Sequence, residues 1–195
     1  MKTFFAALLT GLVFALAGCA EQGEKPVFKL TDVTGASFGK TLELSDHNGQ
    51  RRTLSDFKGK VVALFFGFTH CPDVCPTTLS EMAVVMKELG ADAGRLQVLF
   101  VSVDPERDTA DVLKLYVPAF NPSFLGLTGS ADEISRAAKE FKIYYQKQPL
   151  KGGGYTMDHS AGTYIIDGEG RLRLFAQYGA GAPALLHDIR QLLKQ

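Results

Sequence analysis

Two cysteines close together in the chain are the residues best suited to chemistry. Cys71 and Cys75 lie in the segment T-H-C-P-D-V-C-P, residues 69–76, with three residues between them. Both lie where a helix is predicted to begin. The helix dipole and the free N–H groups there favour an anion, so we expect the pKa of each thiol to be lowered. A lowered thiol pKa assists metal binding and disulfide exchange equally, so the spacing leaves both chemistries open.

A histidine far along the chain supplies a third candidate ligand. His159 lies in Y-T-M-D-H-S, residues 155–160, just before a predicted strand from Gly162 to Ile166. We expect the start of that strand to lie beside the cysteine loop. Two thiolates and an imidazole form a soft, three-coordinate set that suits Cu(I) and, with a further ligand, can hold Cu(II). The glycines at 152–154 predict a mobile loop, so we expect His159 to swing in when the metal arrives.

The elements that must position these residues alternate between apolar strands and amphipathic helices. Residues 61–68, V-V-A-L-F-F-G-F, form the continuous apolar run expected of a strand covered on both faces, and residues 95–103 are similar. Residues 76–89 carry apolar side chains at helical spacing, and Pro76 suits a first helical turn. The other predicted elements are strands at 124–128, 143–146, 162–166 and 172–177, helices at 109–117, 130–142 and 184–193, and an N-terminal β-hairpin at 41–54 around an Asn-Gly turn.

This order of elements predicts an α/β fold in which helices flank a mixed central sheet. The cysteines fall between the first core strand and its helix, which is the thioredoxin-like pattern. Ser130 is predicted to cap one helix, and Met82 and Met86, at helical spacing, are predicted to pack in the core.

Three motifs in this order resemble the Sco/SenC family. They are F-G-F-T-H-C-P-D-V-C-P at 66–76, S-V-D-P-E-R-D-T at 102–109 and D-H-S at 158–160, and the resemblance extends over roughly residues 38–195. Members of that family are thioredoxin-fold copper proteins that help to assemble the dinuclear copper site of cytochrome c oxidase. The resemblance implies that the copper ligands are Cys71, Cys75 and His159 and that the partner is the copper-bearing oxidase subunit.

Other functions remain open at this point. Cys71 and Cys75 could form a structural disulfide. Alternatively, the protein could be a thiol-disulfide oxidoreductase that uses these two thiols to reduce the apo-oxidase subunit or to sense redox state. Zinc also accepts two sulfurs and one nitrogen. As a copper chaperone, the protein would need a periplasmic thiol reductant, because a disulfide between the two cysteines cannot bind metal. Whether the protein is an enzyme therefore depends on which of these functions it has. If it is an oxidoreductase, His159 is dispensable.

The first residues predict export and anchoring rather than fold. Residues 1–18 contain Lys2 and then an uncharged run that is short for a membrane-spanning helix, and they end in L-A-G before Cys19. This is typical of a bacterial lipoprotein signal peptide with lipidation at Cys19. Residues 19–35 are then a lipidated tether and residues 36–195 the copper-binding domain. We expect a membrane-anchored lipoprotein that faces the periplasm or cell exterior.

The charge balance of the chain argues against nucleic acid as a partner. The chain has 21 Lys and Arg and 21 Asp and Glu, so its formal net charge is zero. Nucleic-acid binding requires a basic excess and is therefore not expected. A small neutral domain is most simply a monomer.

For several other polar residues the sequence supports only general predictions. His70 is predicted to be structural or to support the metal ligands without binding the metal. His47, in a turn, and His187, on the last helix, are predicted to face solvent. Asp73 is a weak candidate for an axial or outer partner of the metal. Residues 104–108 are predicted to end a strand and cap a helix. The resemblance implies that they border the metal site, so a role in contacting the partner stays open.

Overall fold

An eight-stranded mixed sheet forms the centre of residues 26–195, the part of the chain that the computed structural model describes. Two further strands form a separate hairpin, and four α-helices complete the fold. The strands are β1 (Thr31–Asp32), β2 (Glu43–Asp46), β3 (Arg51–Thr53), β4 (Val61–Gly67), β5 (Leu96–Ser102), β6 (Leu125–Thr128), β7 (Tyr145–Pro149), β8 (Tyr155–His159), β9 (Gly162–Ile166) and β10 (Leu172–Gln177). The helices are α1 (Val74–Leu89), α2 (Ala110–Tyr116), α3 (Ala131–Glu140) and α4 (Ala182–Leu192).

The strand order in the large sheet is β1-β10-β9-β4-β5-β6-β2-β3. β4, β5 and β6 are mutually parallel, whereas β9 runs antiparallel to β4. The end of β4 therefore lies beside the start of β9, with Phe65 opposite Thr163. This register brings the cysteine loop, which follows β4, next to the residues that precede β9.

The core lies around β4 and β5, in which every residue is buried. Phe65 and Phe100 meet edge to face with their ring centroids 5.1 Å apart. α1 packs against α4. Met82 and Met86 are buried on α1, as predicted. Because the central strands are covered on both faces, the ends of β4 and β5 form a rigid support for the loops that follow them.

The predicted fold class is confirmed. The thioredoxin-like arrangement, the N-terminal hairpin of β2 and β3 and the mixed sheet are all present. Ser130 caps α3, accepting the backbone N–H of Glu133 at 3.3 Å while the Glu133 carboxylate accepts the Ser130 N–H at 2.7 Å. No helix among residues 26–195 has the length and apolar character needed to cross a membrane.

The prediction that His47 faces solvent is wrong. Its side chain is buried, and its Nδ1 accepts the backbone N–H of Gly126 at 3.1 Å. The His47 N–H in turn donates to the Gly126 carbonyl at 2.9 Å. The turn after β2 is thus joined to β6, because the imidazole replaces a missing backbone acceptor.

The segment before the main sheet is held against α4. The backbone N–H groups of Lys29 and Leu30 donate to the buried carboxylate of Asp188, at distances between 2.7 and 3.0 Å. His187, predicted to face solvent, is only partly exposed and has its Nδ1 2.7 Å from Asp188. Tertiary contacts therefore begin before residue 36, where the sequence predicted the domain to start.

A separate β-hairpin carries His159. β7 and β8 pair with each other over five residue pairs, from Tyr145 opposite His159 to Pro149 opposite Tyr155. The sequence predicted a mobile loop before His159, but the glycines form only the exposed turn of this hairpin. His159 itself is the last residue of β8, and its swing on arrival of the metal stays a prediction.

Candidate metal centre

The cysteine loop connects the end of β4 with the start of α1. Val74 opens the helix, so Cys75 lies in its first turn and Cys71 just before it. Cys75 is fully buried and Cys71 is half-buried, and both are free thiols. A Cβ on Gly67 would lie 2.6 Å from Cys75 Sγ. Glycine at the end of β4 is therefore what allows the Cys75 sulfur to sit directly over the strand.

His159 directs one ring nitrogen at this sulfur. Its Nδ1 lies 3.0 Å from the Ser160 carbonyl, which can only accept, so Nδ1 carries the proton. The lone pair on Nε2 is then free, and this atom lies 3.8 Å from Cys75 Sγ. Phe68 packs edge to face on the imidazole, with ring centroids 5.7 Å apart. The ring is thereby fixed in tautomer and in orientation.

The three side chains have the separation of a single metal centre. One ligand atom from each of Cys71, Cys75 and His159 lies within 4.8 Å of the others. Bonds of about 2.3 Å to sulfur and about 2.0 Å to nitrogen place S and N about 3.7 Å apart in a trigonal site. The observed Cys75–His159 separation of 3.8 Å matches this value. A metal ion could thus be bound with little movement of the protein.

The two thiols differ in acidity. The pKa of Cys71 is lowered to about 5, chiefly by a hydrogen bond from the Cys75 thiol and then by the backbone N–H groups of Asp73 and Cys75. The pKa of Cys75 is raised, because its proton is shared with Cys71 and because the side chain is buried. The sequence predicted lowered pKa values for both thiols, and the structure supports this for Cys71 alone.

A model of the SCO1/SenC protein family matches residues 31–194. This chain belongs to the SCO1/SenC family. The mitochondrial SCO2 homologue of Bos taurus is 43% identical over 140 residues, which cover 70% of this chain and 52% of that protein. The chain spans about half the length of the curated relatives it matches first, 52%, 49% and 60% for three of them.

Solved structures are similar to this SCO1/SenC chain in fold. The copper-bound structure of ScoI from Bradyrhizobium japonicum has a TM-score of 0.74 and 39% identity, and the match covers 80% of this chain and all of that one. The solution structure of apo Sco1 from Thermus thermophilus has a TM-score of 0.77 and 41% identity, over 88% of this chain and 100% of that one.

Asp108 supports the cysteine loop of this SCO1/SenC protein through hydrogen bonds to Thr69. Its buried carboxylate accepts the backbone N–H of Thr69 at 3.0 Å and the hydroxyl groups of Thr69 and Ser102, both at 2.6 Å. The prediction that residues 104–108 cap the next helix is wrong by one position, because Thr109 provides the side-chain cap of α2. The motif at 102–109 therefore ties the loop to the end of β5, a role that the sequence did not predict.

Arg107 is a second residue of this motif, for which the resemblance implied a place beside the site but no role. Its guanidinium lies over the ring of Tyr155, 3.8 Å from the centroid, and its Nη1 donates to the Tyr155 carbonyl at 2.9 Å. Its Nε pairs with the buried carboxylate of Asp104. The only sequence signal was the position of this arginine inside the 102–109 motif.

The remaining candidates lie outside the cluster of three. His70 is exposed, with Nδ1 3.1 Å from the Thr69 hydroxyl. Asp73 is exposed and accepts hydrogen bonds from Thr77 at 3.3 Å and from Tyr178 at 3.4 Å. Neither belongs to the described group of close metal-ligating atoms. Cys19, the predicted lipidation site, lies outside the described residues.

Proposed function

We propose that this chain is a copper chaperone that binds copper through Cys71, Cys75 and His159 and delivers it to the copper site of cytochrome c oxidase. The observation that carries the proposal is the convergence of two sulfurs and one imidazole nitrogen within 4.8 Å. Soft sulfur donors in a three-coordinate set favour Cu(I). Copper is also bound in the solved structure of the Bradyrhizobium japonicum relative, which supports this choice of metal.

The unequal exposure of the ligands suggests the direction in which copper leaves. Cys75 is buried beneath the loop, whereas Cys71 is partly open to solvent. A thiolate of the acceptor subunit can therefore approach the metal on the Cys71 side and replace that ligand first. Three protein ligands leave a position for the incoming sulfur, so the metal is never without a soft donor during the exchange.

His159→Ala tests the chaperone function. We expect the substitution to weaken Cu(I) binding strongly while redox cycling of Cys71 and Cys75 stays largely intact. His70→Ala is the matched control, because this exposed imidazole is in the cysteine loop but lies outside the cluster of three ligands. The measurements are competition titration with a Cu(I) chelator and oxidase copper content in cells. Unchanged oxidase loading in the His159 variant would refute the chaperone function.

A second function, thiol-disulfide exchange, is favoured by a specific observation. The more exposed thiol, Cys71, has a pKa lowered to about 5, whereas the pKa of buried Cys75 is raised. This is the arrangement of an attacking thiolate followed by a resolving thiol. Reduction of an oxidised apo-oxidase peptide by wild-type and His159→Ala protein at equal rates, with no copper requirement, would favour it.

Zinc is the alternative metal. We expect Cu(I) to be bound far more tightly than Zn(II), because two thiolates and an open coordination position suit the softer ion. Titration of reduced protein with each metal measures this difference. A higher affinity for Zn(II) would contradict the choice of copper.

The cellular setting proposed for the protein follows from its first residues. Lipidation at Cys19 would anchor it outside the cytoplasmic membrane, where a periplasmic thiol reductant keeps Cys71 and Cys75 reduced. Metabolic labelling with a fatty acid, compared between wild type and Cys19→Ser, tests the anchor. Label retained by the serine variant would contradict lipidation at this position.

A further inference from the structure

The β7–β8 hairpin depends on side chains for its attachment to the domain. Within the described residues, β8 forms ladder hydrogen bonds with β7 alone, and neither strand joins the eight-stranded sheet. Alternation along β8 places Tyr155, Met157 and His159 on one face. Met157 is buried, whereas Asp158, on the opposite face, is exposed. This face of β8 therefore packs into the core through Met157, at its middle, and carries the candidate metal ligand His159 at its end.

The opposite end of that face is held by residues of the 102–109 motif. Arg107 covers the Tyr155 ring and bonds its carbonyl, and the Tyr155 hydroxyl donates to Asp104 at 2.8 Å. Asp104 is buried and is itself paired with Arg107. Arg107, Asp104 and Tyr155 are thus joined to one another through Nε and Nη1 of the guanidinium and through the Tyr155 hydroxyl. Each of these contacts crosses from the main domain to the hairpin or supports one that does.

Arg107 also approaches the metal-ligand end of the strand. Its guanidinium carbon lies 5.9 Å from the Phe68 ring centroid, and Phe68 packs edge to face on His159. One side chain therefore lies against Tyr155 at the start of β8 and against the aromatic ring that supports the imidazole at its end. The Nζ atom of Lys147 also lies over the Tyr155 ring, 4.7 Å from its centroid. The Lys147 side chain is more exposed than that of Arg107, and it pairs with Glu106.

We propose that Arg107, with Asp104 and Tyr155, is a positioning residue that holds the β7–β8 hairpin so that His159 reaches the two cysteines. The proposal rests on the proposed copper-binding function of that site. Arg107 is not a ligand and acts only through His159 and its supporting ring. Outer residues that orient a metal-binding histidine typically change metal affinity by about 10- to 100-fold when they are replaced.

The test combines Arg107 variants with His159→Ala. Arg107→Ala is expected to weaken Cu(I) affinity by at least about tenfold in the wild-type background, and by less than about twofold once His159 is already alanine. Arg136→Ala, at an exposed arginine on α3, is the matched control and should change neither value. An equal loss in both backgrounds would overturn the proposal, because Arg107 would then act on the cysteines.

A second measurement needs no metal. Arg107→Lys keeps a positive charge next to Asp104 but loses the bond to the Tyr155 carbonyl and the planar stacking on its ring. In reduced, metal-free protein, we expect this variant to remain folded by circular dichroism and to shift the NMR signals of the His159 ring protons, which lie near Phe68. Unchanged signals would refute the positioning role. Should wild-type protein fail to bind Cu(I), the copper function would fall, while this comparison would still decide whether Arg107 positions His159.

Discussion

At the scale of single residues, the two cysteines differ although only three positions separate them. Cys75 is in the first turn of α1 over Gly67 and is buried, whereas Cys71 is in the loop and half-buried. The hydrogen bond from the Cys75 thiol and two backbone N–H groups stabilise the Cys71 thiolate. The pair therefore holds one negative charge, on the sulfur that a partner can reach.

Alkylation of the reduced, metal-free protein should reveal this asymmetry. Because the pKa of Cys71 is lowered to about 5, its reaction with iodoacetamide should already be at its plateau rate at neutral pH. Cys75 should stay unmodified there, because its pKa is raised and its side chain is buried. Peptide mass spectrometry across a pH series measures both rates. In urea the two should react alike, with a pKa of about 8.5, and equal rates in the folded protein would contradict the prediction.

Gly67→Ala tests the close approach beneath Cys75. The new Cβ would meet Cys75 Sγ at 2.6 Å and the Phe100 ring at 2.9 Å, both inside a packed core. We expect a loss of about 1–3 kcal/mol in the free energy of unfolding, and weaker Cu(I) binding because the sulfur must move. Gly94→Ala is the control, since nothing lies within 4 Å of the added carbon there. Urea unfolding and copper titration are the measurements, and equal behaviour of the two variants would count against the steric argument.

At the scale of elements, the turn after β2 depends on a neutral histidine. His47 accepts the Gly126 N–H through Nδ1, an interaction that a protonated ring cannot make. Burial lowers the pKa of His47 below its usual range, with the charge of Lys114 acting in the same direction and that of Asp46 opposing it. The connection of the β2–β3 hairpin to β6 is therefore sensitive to acid.

The sign of the pH effect follows from linkage. The unfolded chain binds a proton at His47 as the pH falls below about 6.5, whereas the folded chain does not until a lower pH. The free energy of unfolding should therefore fall from about pH 6.5 downwards. His47→Asn keeps a side-chain acceptor that does not titrate, so its urea-unfolding free energy should depend less on pH in that window. His70→Asn, at an exposed ring, should follow wild type, and parallel curves for all three proteins would refute the assignment.

The hairpin of β7 and β8 shows which elements the sequence could predict. β4 and β5 were predicted correctly, because a long apolar run has few alternatives to a buried strand. β8 was missed: its residues Y-T-M-D-H follow three glycines and contain no apolar run. It is a strand because β7 pairs with it and because Arg107 holds its first residue, and neither reason is local in the sequence.

At the scale of the whole molecule, the first and last segments of residues 26–195 pack together. The N–H groups of Lys29 and Leu30 bond to Asp188 on the last helix, and β1 pairs with β10 at the edge of the sheet. These backbone N–H groups add to the contact that the buried Asp188 carboxylate makes with His187. The segment predicted to be the end of the tether is thus partly attached to the domain.

A chain beginning at residue 36 should consequently be less stable than one beginning at residue 26. It loses β1 and leaves the buried Asp188 carboxylate without its two backbone donors. We expect the free energy of unfolding to fall by at least about 2 kcal/mol, since a buried carboxylate that loses two hydrogen-bond donors is costly. Urea unfolding of the two chains measures the difference, and a chain beginning at residue 31 separates the effect of Asp188 from that of β1. Equal stabilities would show that the first contacts are unimportant.

The sequence by itself determined the fold class, the two core strands and the identity of the three candidate ligands, because apolar runs and reactive residue types are local properties. Only the tertiary structure decided that His159 lies on a strand, that His47 is buried and that the two thiols differ in acidity. Each of these depends on a partner distant in sequence, such as Gly126 for His47 or Arg107 for the hairpin. Such pairings arise from how strands are ordered in the sheet, and that order is a property of the folded chain as a whole.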